Sequence, residues 1–349
     1  MAKVKKVYIE ISNVCHLKCP FCPEGVRDKK FMGPELFKKI VREVSPFTEE
    51  ICFHLMGEPL LHPEFDSYVA FCNSIGVRIN LTTNGLLLDP RRTETLLNPA
   101  VKQINFSLQS FEANFPERDN SHYLKKIFDF TERALRDRPD LYINYRLWNV
   151  GAEKAAGSND LLLKKIKQGL HVECEKEADR QRKKSVKLKG RVYLHFDHRF
   201  QWPHPRQRVR SAQGFCHGLS SHFGILADGT VVPCCLDKDG LIPLGKADDQ
   251  KINAIIQGPR ARAIRQGFQK GILVEDLCQK CTFISRFDKK GERLKRQKNQ
   301  GGSGEGGGAF RIRGLPARSL TGPHGGPFSS PQVGVTGRSS PPSFFREEK

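Results

Sequence analysis

Three cysteines near the start of the chain, Cys15, Cys19 and Cys22, stand at C-x3-C-x2-C spacing in the run Ser12-Asn13-Val14-Cys15-His16-Leu17-Lys18-Cys19-Pro20-Phe21-Cys22-Pro23. Three thiolates in one short loop can hold three irons of a [4Fe-4S] cluster and leave the fourth iron open to an external chelator. A zinc knuckle completed by His16 would use the same residues, although zinc modules usually begin with a tighter cysteine pair. A second group follows much later: Cys216, Cys234 and the pair Cys278-Gln279-Lys280-Cys281, with Cys235 able to replace Cys234. On spacing alone its four thiolates suit a fully ligated [4Fe-4S] cluster or a tetrahedral zinc ribbon. Two metal sites are implied.

These groups need a rigid frame, and the chain supplies one. Strand-like runs at residues 7–12, 50–54, 78–83, 103–107, 142–147 and 191–196 alternate with helix-like runs near 65–75, 92–97 and 124–136. In the first helical segment, GPELFKKIVREV, Pro34 sits where a first-turn proline is tolerated, and Leu36, Phe37, Ile40, Val41 and Val44 recur at helical spacing. Parallel strands joined by crossover helices are the expected outcome, closing as a partial (β/α)6 TIM-like barrel of class α/β with its site at the C-terminal ends of the strands. After Trp202-Pro203-His204-Pro205 the texture changes to short strands, turns such as Asp228-Gly229, and cysteines. The expected division is a barrel over residues 5–205, a small cysteine-rich domain over 214–287, and a basic tail rich in Gly, Pro and Ser over 288–349 that should be disordered. That tail also reads as a possible out-of-frame or read-through translation.

The cysteine triplet, with Phe21 immediately before its last member, closely resembles the signature of the radical S-adenosylmethionine (SAM) superfamily. The likeness extends to His54-Leu55-Met56-Gly57-Glu58-Pro59, similar to the family's GEP motif, to Leu81-Thr82-Thr83-Asn84-Gly85, similar to its TNG segment, and to Asn105-Phe106-Ser107-Leu108-Gln109 at the end of the fourth strand. The resemblance implies a [4Fe-4S] cluster on Cys15, Cys19 and Cys22 that binds SAM, with Gly57, Glu58, Pro59, Thr83, Asn84, Ser107 and Gln109 around the SAM. Gly57 permits close backbone approach, Pro59 fixes the turn, and Glu58 with nearby carbonyls can accept from an ammonium. Arg146, at the end of the fifth strand, is the further SAM-binding residue, able to grip its carboxylate with a bidentate fork.

The second cysteine group resembles the twitch domain, a shortened relative of the SPASM domain, in which an auxiliary [4Fe-4S] cluster is held by cysteines, here Cys216, Cys234, Cys278 and Cys281. Cys234 is preferred to Cys235 for its distance from Gly229. The implied chemistry is reductive cleavage of SAM to a 5′-deoxyadenosyl radical, hydrogen abstraction from a substrate, and net oxidation through the auxiliary cluster. The layout is similar to that of the radical SAM dehydrogenases of aminocyclitol biosynthesis. Ribosomal-peptide maturases and RNA-modifying radical SAM enzymes are the competing readings, and a non-enzymatic iron-sulfur or RNA-binding protein is the reading from another class. The partners implied are a flavodoxin- or ferredoxin-type electron donor and a small-molecule or peptide substrate.

Composition narrows the classes further. The chain has 349 residues, 38% of them hydrophobic, and no apolar run of signal-peptide or membrane-span length, so a cytoplasmic protein with no membrane partner is expected. Eleven cysteines in a reducing compartment argue for metal ligation over a disulfide framework. The formal charge of +20 would suit a nucleic-acid partner, but much of the excess sits in residues 173–191 and beyond Arg286, which does not favour that reading.

Overall fold

The alternation read from the sequence appears in space as one sheet. The computed structural model describes residues 3–150, 155–172, 184–198 and 201–287, and these lie in one compact unit. The tail over 288–349, and most of the basic stretch 173–191 with Cys174, lie outside the described residues.

In chain order the strands are β1 (Val4–Ile9), β2 (Thr48–Cys52), β3 (Arg78–Thr83), β4 (Val101–Ser107), β5 (Tyr142–Val150), β6 (Ser185–Lys189), β7 (Val192–His198), β8 (His222–Ile225), β9 (Thr230–Val232) and β10 (Gly245–Lys246). The helices are α1 (Pro34–Val44), α2 (Phe65–Ser74), α3 (Pro90–Leu96), α4 (Gln109–Asn114), α5 (Ser121–Asp137), α6 (Ala155–Leu170), α7 (Ile252–Ile256), α8 (Pro259–Gln269) and α9 (Asp276–Lys280). The sheet order is β10-β9-β8-β1-β2-β3-β4-β5-β7-β6. Strands β1, β2, β3, β4, β5 and β7 run parallel, the arrangement expected of a partial barrel. Beyond them β8 adds to β1 in parallel, with Lys6 opposite His222 and Ile9 opposite Ile225. The segment expected as a separate small domain therefore continues the barrel's own sheet.

Helices cover the outer face because each presents one apolar stripe. In α1 the buried residues are Phe37, Ile40, Val41 and Val44, at i, i+3, i+4 and i+7. In α5 they are Tyr123, Leu124, Ile127, Phe128, Phe130, Thr131 and Ala134. The strands alternate, so Val7 and Ile9 join this outer core while Lys6 and Tyr8 take the opposite face.

The inward face is polar at its lower level. Asn80, Asn105 and Asn144 form an amide ladder across β3, β4 and β5: Asn105 Nδ2 donates to Asn80 Oδ1 at 2.9 Å, and Asn144 Nδ2 donates to Asn105 Oδ1 at 2.8 Å. At one side Glu50 takes Lys6 at 2.5 Å and Lys102 at 3.2 Å. Two residues further along each strand, on the same face, stand Tyr8, Cys52, Thr82, Ser107 and Arg146.

Candidate active site at the strand ends

The triplet loop follows β1, and the residues around Gly57 hold it from below. Gly57 has φ +75°, and a Cβ there would lie 2.4 Å from the Ser12 carbonyl oxygen, so only glycine permits this approach. Glu58 N donates to Val14 O at 2.8 Å, fastening the two segments.

Glu58 is buried, and its carboxylate accepts from Thr83 Oγ1 at 2.7 Å, Asn84 N at 2.8 Å and Leu60 N at 3.1 Å. Burial pushes its carboxyl up to about 7, against the pull of these donors. The sequence reading gave this carboxylate to an ammonium; in the structure it is occupied by the TNG segment and ties β3 to the loop after β2. Thr83 Oγ1 also accepts from Gly85 N at 3.0 Å, and Asn84 O accepts from Tyr123 at 2.8 Å. Glu58, Pro59, Thr83 and Asn84 thus make a buried layer beneath the site.

A cavity of about 370 Å³ opens over the strand ends, and Gly57, Ser107, Gln109 and Arg146 line it. Cys22 borders it on the barrel side, and Cys216, Cys234, Cys235, Cys278 and Cys281 border it on the other. Cys22 of the first cysteine group and the cysteines of the second therefore face one space. None of the ten described cysteines is in a disulfide.

Burial raises the Cys15 thiol to about 11, with the Glu58 carboxylate and the thiols of Cys19 and Cys22 adding to the effect. Burial likewise raises Cys22, where Lys29 and Lys238 pull the other way, and also raises Cys216, Cys234, Cys278 and Cys281. Such thiols ionise when a metal takes them. Among the described residues no group of three or more His, Cys, Asp or Glu side chains converges to hold a single metal ion. Thiolates that bind the separate corner irons of a cluster have no need to converge in that way.

Asn114, at the end of α4, escaped the sequence reading. Its Nδ2 donates to Cys19 Sγ at 3.1 Å and its Oδ1 accepts from Lys18 N at 2.9 Å, so one side chain brackets the triplet loop. No motif marks an asparagine in a short helix. Cys235 is also placed on the cavity wall, and burial raises its thiol to about 12.

Three buried polar atoms on residues lining the cavity have no partner among the described residues: His54 Nδ1, Gln109 Oε1 and Arg146 Nε. Orphaned groups of this kind are costly unless something else satisfies them. Together with the backbone approach that Gly57 permits, they fit a polar cofactor seated above the strand ends.

Comparison with known proteins agrees with this geometry. The family model for the radical SAM superfamily matches residues 9–145, and that for the SPASM iron-sulfur cluster-binding domain matches 216–282. The S-adenosyl-L-methionine-dependent 2-deoxy-scyllo-inosamine dehydrogenase of Niallia circulans is 30% identical over 104 residues, covering 28% of this chain and 42% of that protein. A tungsten-containing aldehyde ferredoxin oxidoreductase cofactor-modifying protein of Pyrococcus furiosus is 31% identical over 109 residues, covering 30% of this chain and 31% of that protein. The aligned stretch thus spans less than half the length of these curated relatives.

Among solved structures, BtrN in complex with AdoMet and 2-DOIA aligns with TM-score 0.52 at 18% identity, covering 81% of this chain and 94% of BtrN. Streptococcus suis SuiB bound to its precursor peptide SuiA aligns with TM-score 0.52 at 14% identity, covering 82% of this chain and 74% of SuiB. Both share the fold. With Cys22 of the triplet, Gly57 and the second cysteine group on one cavity, the chain belongs to the radical SAM superfamily, with a C-terminal SPASM domain, and its cofactors are a SAM-binding [4Fe-4S] cluster, SAM and an auxiliary cluster.

Proposed function

We propose that this enzyme oxidises its substrate by removing a hydrogen atom and then an electron, with a proton lost to solvent. The observation that carries the reading is the single cavity bordered by Cys22 on one side and by Cys216, Cys234, Cys278 and Cys281 on the other. Cys15, Cys19 and Cys22 hold the first cluster, and the four later cysteines hold the second. Bound there, the first cluster with SAM would supply the hydrogen-abstracting chemistry, and the second would supply an acceptor for the electron left behind.

The protein's own part is placement. The Gly57 backbone receives the methionyl end of SAM, and Ser107 and the orphaned Gln109 Oε1 take its polar groups. Glu58, Pro59, Thr83 and Asn84 fix the height of that platform from below. The aromatic walls exclude water from the reacting carbon. Exposed Lys18, Lys29 and Lys30 beside the triplet favour an acidic electron donor of flavodoxin or ferredoxin type. The similarity to a SAM-dependent dehydrogenase supports the oxidative direction.

The test is anaerobic reconstitution with iron and sulfide counted per chain, then dithionite-driven conversion of SAM to 5′-deoxyadenosine. About eight irons are expected in the parent, and about four, with no turnover, in a C15A/C19A/C22A variant. Loss of SAM cleavage without loss of iron in that variant, or no cleavage in the parent, would refute the reading.

A further inference from the structure

The loop that leads from the cavity wall to Cys216 carries charge that the site does not use. Trp202 and Pro203 line the cavity, and none of residues 204–213 does. That stretch reads HPRQRVRSAQ, three arginines with no acidic residue. Arg206, Arg208, Val209 and Arg210 are all exposed. Among the described residues none of the three guanidinium groups is in an ion pair. On the segments packed against the loop, Asp276 is already paired with Lys280 at 2.6 Å, and Arg286 with Asp197 at 2.6 Å.

A basic run is ordinarily a solvated face, but this one is built onto the second cysteine group. Arg210 N and Ser211 N donate to Gln279 O at 2.9 and 3.3 Å, and Gln279 stands between Cys278 and Cys281. Lys280 Nζ donates to Pro205 O at 2.6 Å, Gln207 Nε2 to Trp202 O at 2.8 Å, and Arg210 Nη1 to Thr282 O at 3.3 Å. Burial raises the Cys281 thiol, and the charge of Arg210 opposes it. The arginines are therefore fixed over the Cys278–Cys281 turn, on a face other than the cavity's. Val209, 53% exposed between Arg208 and Arg210, adds the apolar contact that a protein partner uses and a phosphate backbone does not.

Oxidation of the substrate leaves one electron on the second cluster in every turnover, and that electron must leave before the next. The cavity side is taken by SAM and substrate, and electron transfer weakens steeply with distance, so the acceptor has to approach Cys278 and Cys281 from outside. We infer that residues 204–213 form the docking face for an acidic one-electron carrier, a flavoprotein or iron-sulfur protein in its oxidised state, that relieves the second cluster. This inference rests on the oxidative reading above and names the partner that completes it. The carrier's centre gains one electron, the cluster loses one, and no bond of this protein forms or breaks. Electrons thus enter beside Lys18, Lys29 and Lys30 and leave beside Arg206, Arg208 and Arg210.

The full-length C15A/C19A/C22A protein, reconstituted with the second cluster alone, is reduced with dithionite and desalted. It is then mixed anaerobically with oxidised flavodoxin, an acidic carrier, or with ferricytochrome c, a basic one, and absorbance follows the transfer. Arg206→Glu with Arg208→Glu should slow flavodoxin reduction by at least about tenfold, speed that of ferricytochrome c and leave the iron count unchanged. Arg206→Lys with Arg208→Lys should stay near the unsubstituted rate, and added salt should slow transfer to flavodoxin only where the basic residues remain. Equal flavodoxin rates with and without the glutamates, or an equal loss on reversing Lys18, Lys29 and Lys30 instead, would overturn the inference. Unchanged flavodoxin rates together with a short RNA that binds the arginine form alone would give the face to nucleic acid and overturn it too. Rates that do not respond in a protein holding about four irons count against this docking face alone. A protein without the second cluster, or a parent enzyme that does not cleave SAM, overturns the reading beneath it as well.

Discussion

The ammonium of Lys238 donates to the carbonyl oxygen of Glu24 at 2.9 Å, joining the loop after Cys234 and Cys235 to the loop after the first cysteine group. It lies at 2.5 Å from Asp239, whose other oxygen accepts from Val26 N at 3.1 Å. Arg27 Nε donates to Lys238 O at 2.7 Å, and its Nη2 pairs with the buried Glu10 at 2.7 Å. A buried charge network of this kind adds little net stability but is costly to break from one side. Lys238→Met should cost about 3–5 kcal/mol in urea unfolding. Lys238→Met with Asp239→Asn should recover part of it, and simply additive losses would show that the two residues are not coupled.

Asn114 predicts an electronic effect. Its donation to Cys19 Sγ offsets negative charge on that sulfur, which favours the reduced state of an attached cluster. Asn114→Ala should lower the potential of the SAM-binding cluster by tens of millivolts, a tenfold change in a one-electron equilibrium being about 59 mV. A redox titration followed by electron paramagnetic resonance measures it, and an unchanged potential would remove Asn114 from the site.

Glu58 gives a pH dependence whose sign is fixed by its surroundings. With its carboxyl raised from 4.5 to about 7, the folded protein binds the proton more tightly than the unfolded chain. Its contribution is therefore fully present below about 4.5 and is lost as the pH rises through about 7, worth about 3 kcal/mol across that window. Stability of cluster-free parent and Glu58→Gln proteins at pH 5 and pH 8 isolates the effect, because other groups titrate alike in both. The parent should lose more than the variant on going to pH 8; parallel changes would clear Glu58.

Cys234 and Cys235 are adjacent but differently engaged. Cys234 faces Cys216 and Cys278, whereas Cys235 faces Cys216 and Cys281 and also neighbours Tyr8. Cys234→Ser should lose about four irons per chain and Cys235→Ser should keep them. The reverse pattern in iron counts would exchange their roles.

The parts of this molecule that obey local rules were legible in the sequence. The run 78–83 is β3 residue for residue, and the apolar stripe of 36–44 is the buried face of α1. The triplet and the GEP-like segment stood out because cluster ligation and close backbone approach each demand particular residue types. Other features hid behind their composition. Ser185–Lys189 reads as part of a charged run, yet Val186 and Leu188 turn inward while Ser185, Lys187 and Lys189 face solvent, and β6 pairs antiparallel with β7. Helix α6 is likewise absent from the elements expected from the sequence. The roles of Glu58 and Asn114 depend on partners far away in the chain, and spacing carries no record of those.

The pairing of β1 with β8 has a consequence for the making of the protein. The edge of β1 beside the triplet stays bare until residues 222–225 leave the ribosome. At ~5–20 residues per second that interval lasts about 10–40 s, with an unpaired strand and three reactive thiols exposed together. Nascent chains of this enzyme therefore depend on whatever shields that edge during synthesis, and cluster loading before β8 has emerged would act on a half-built barrel.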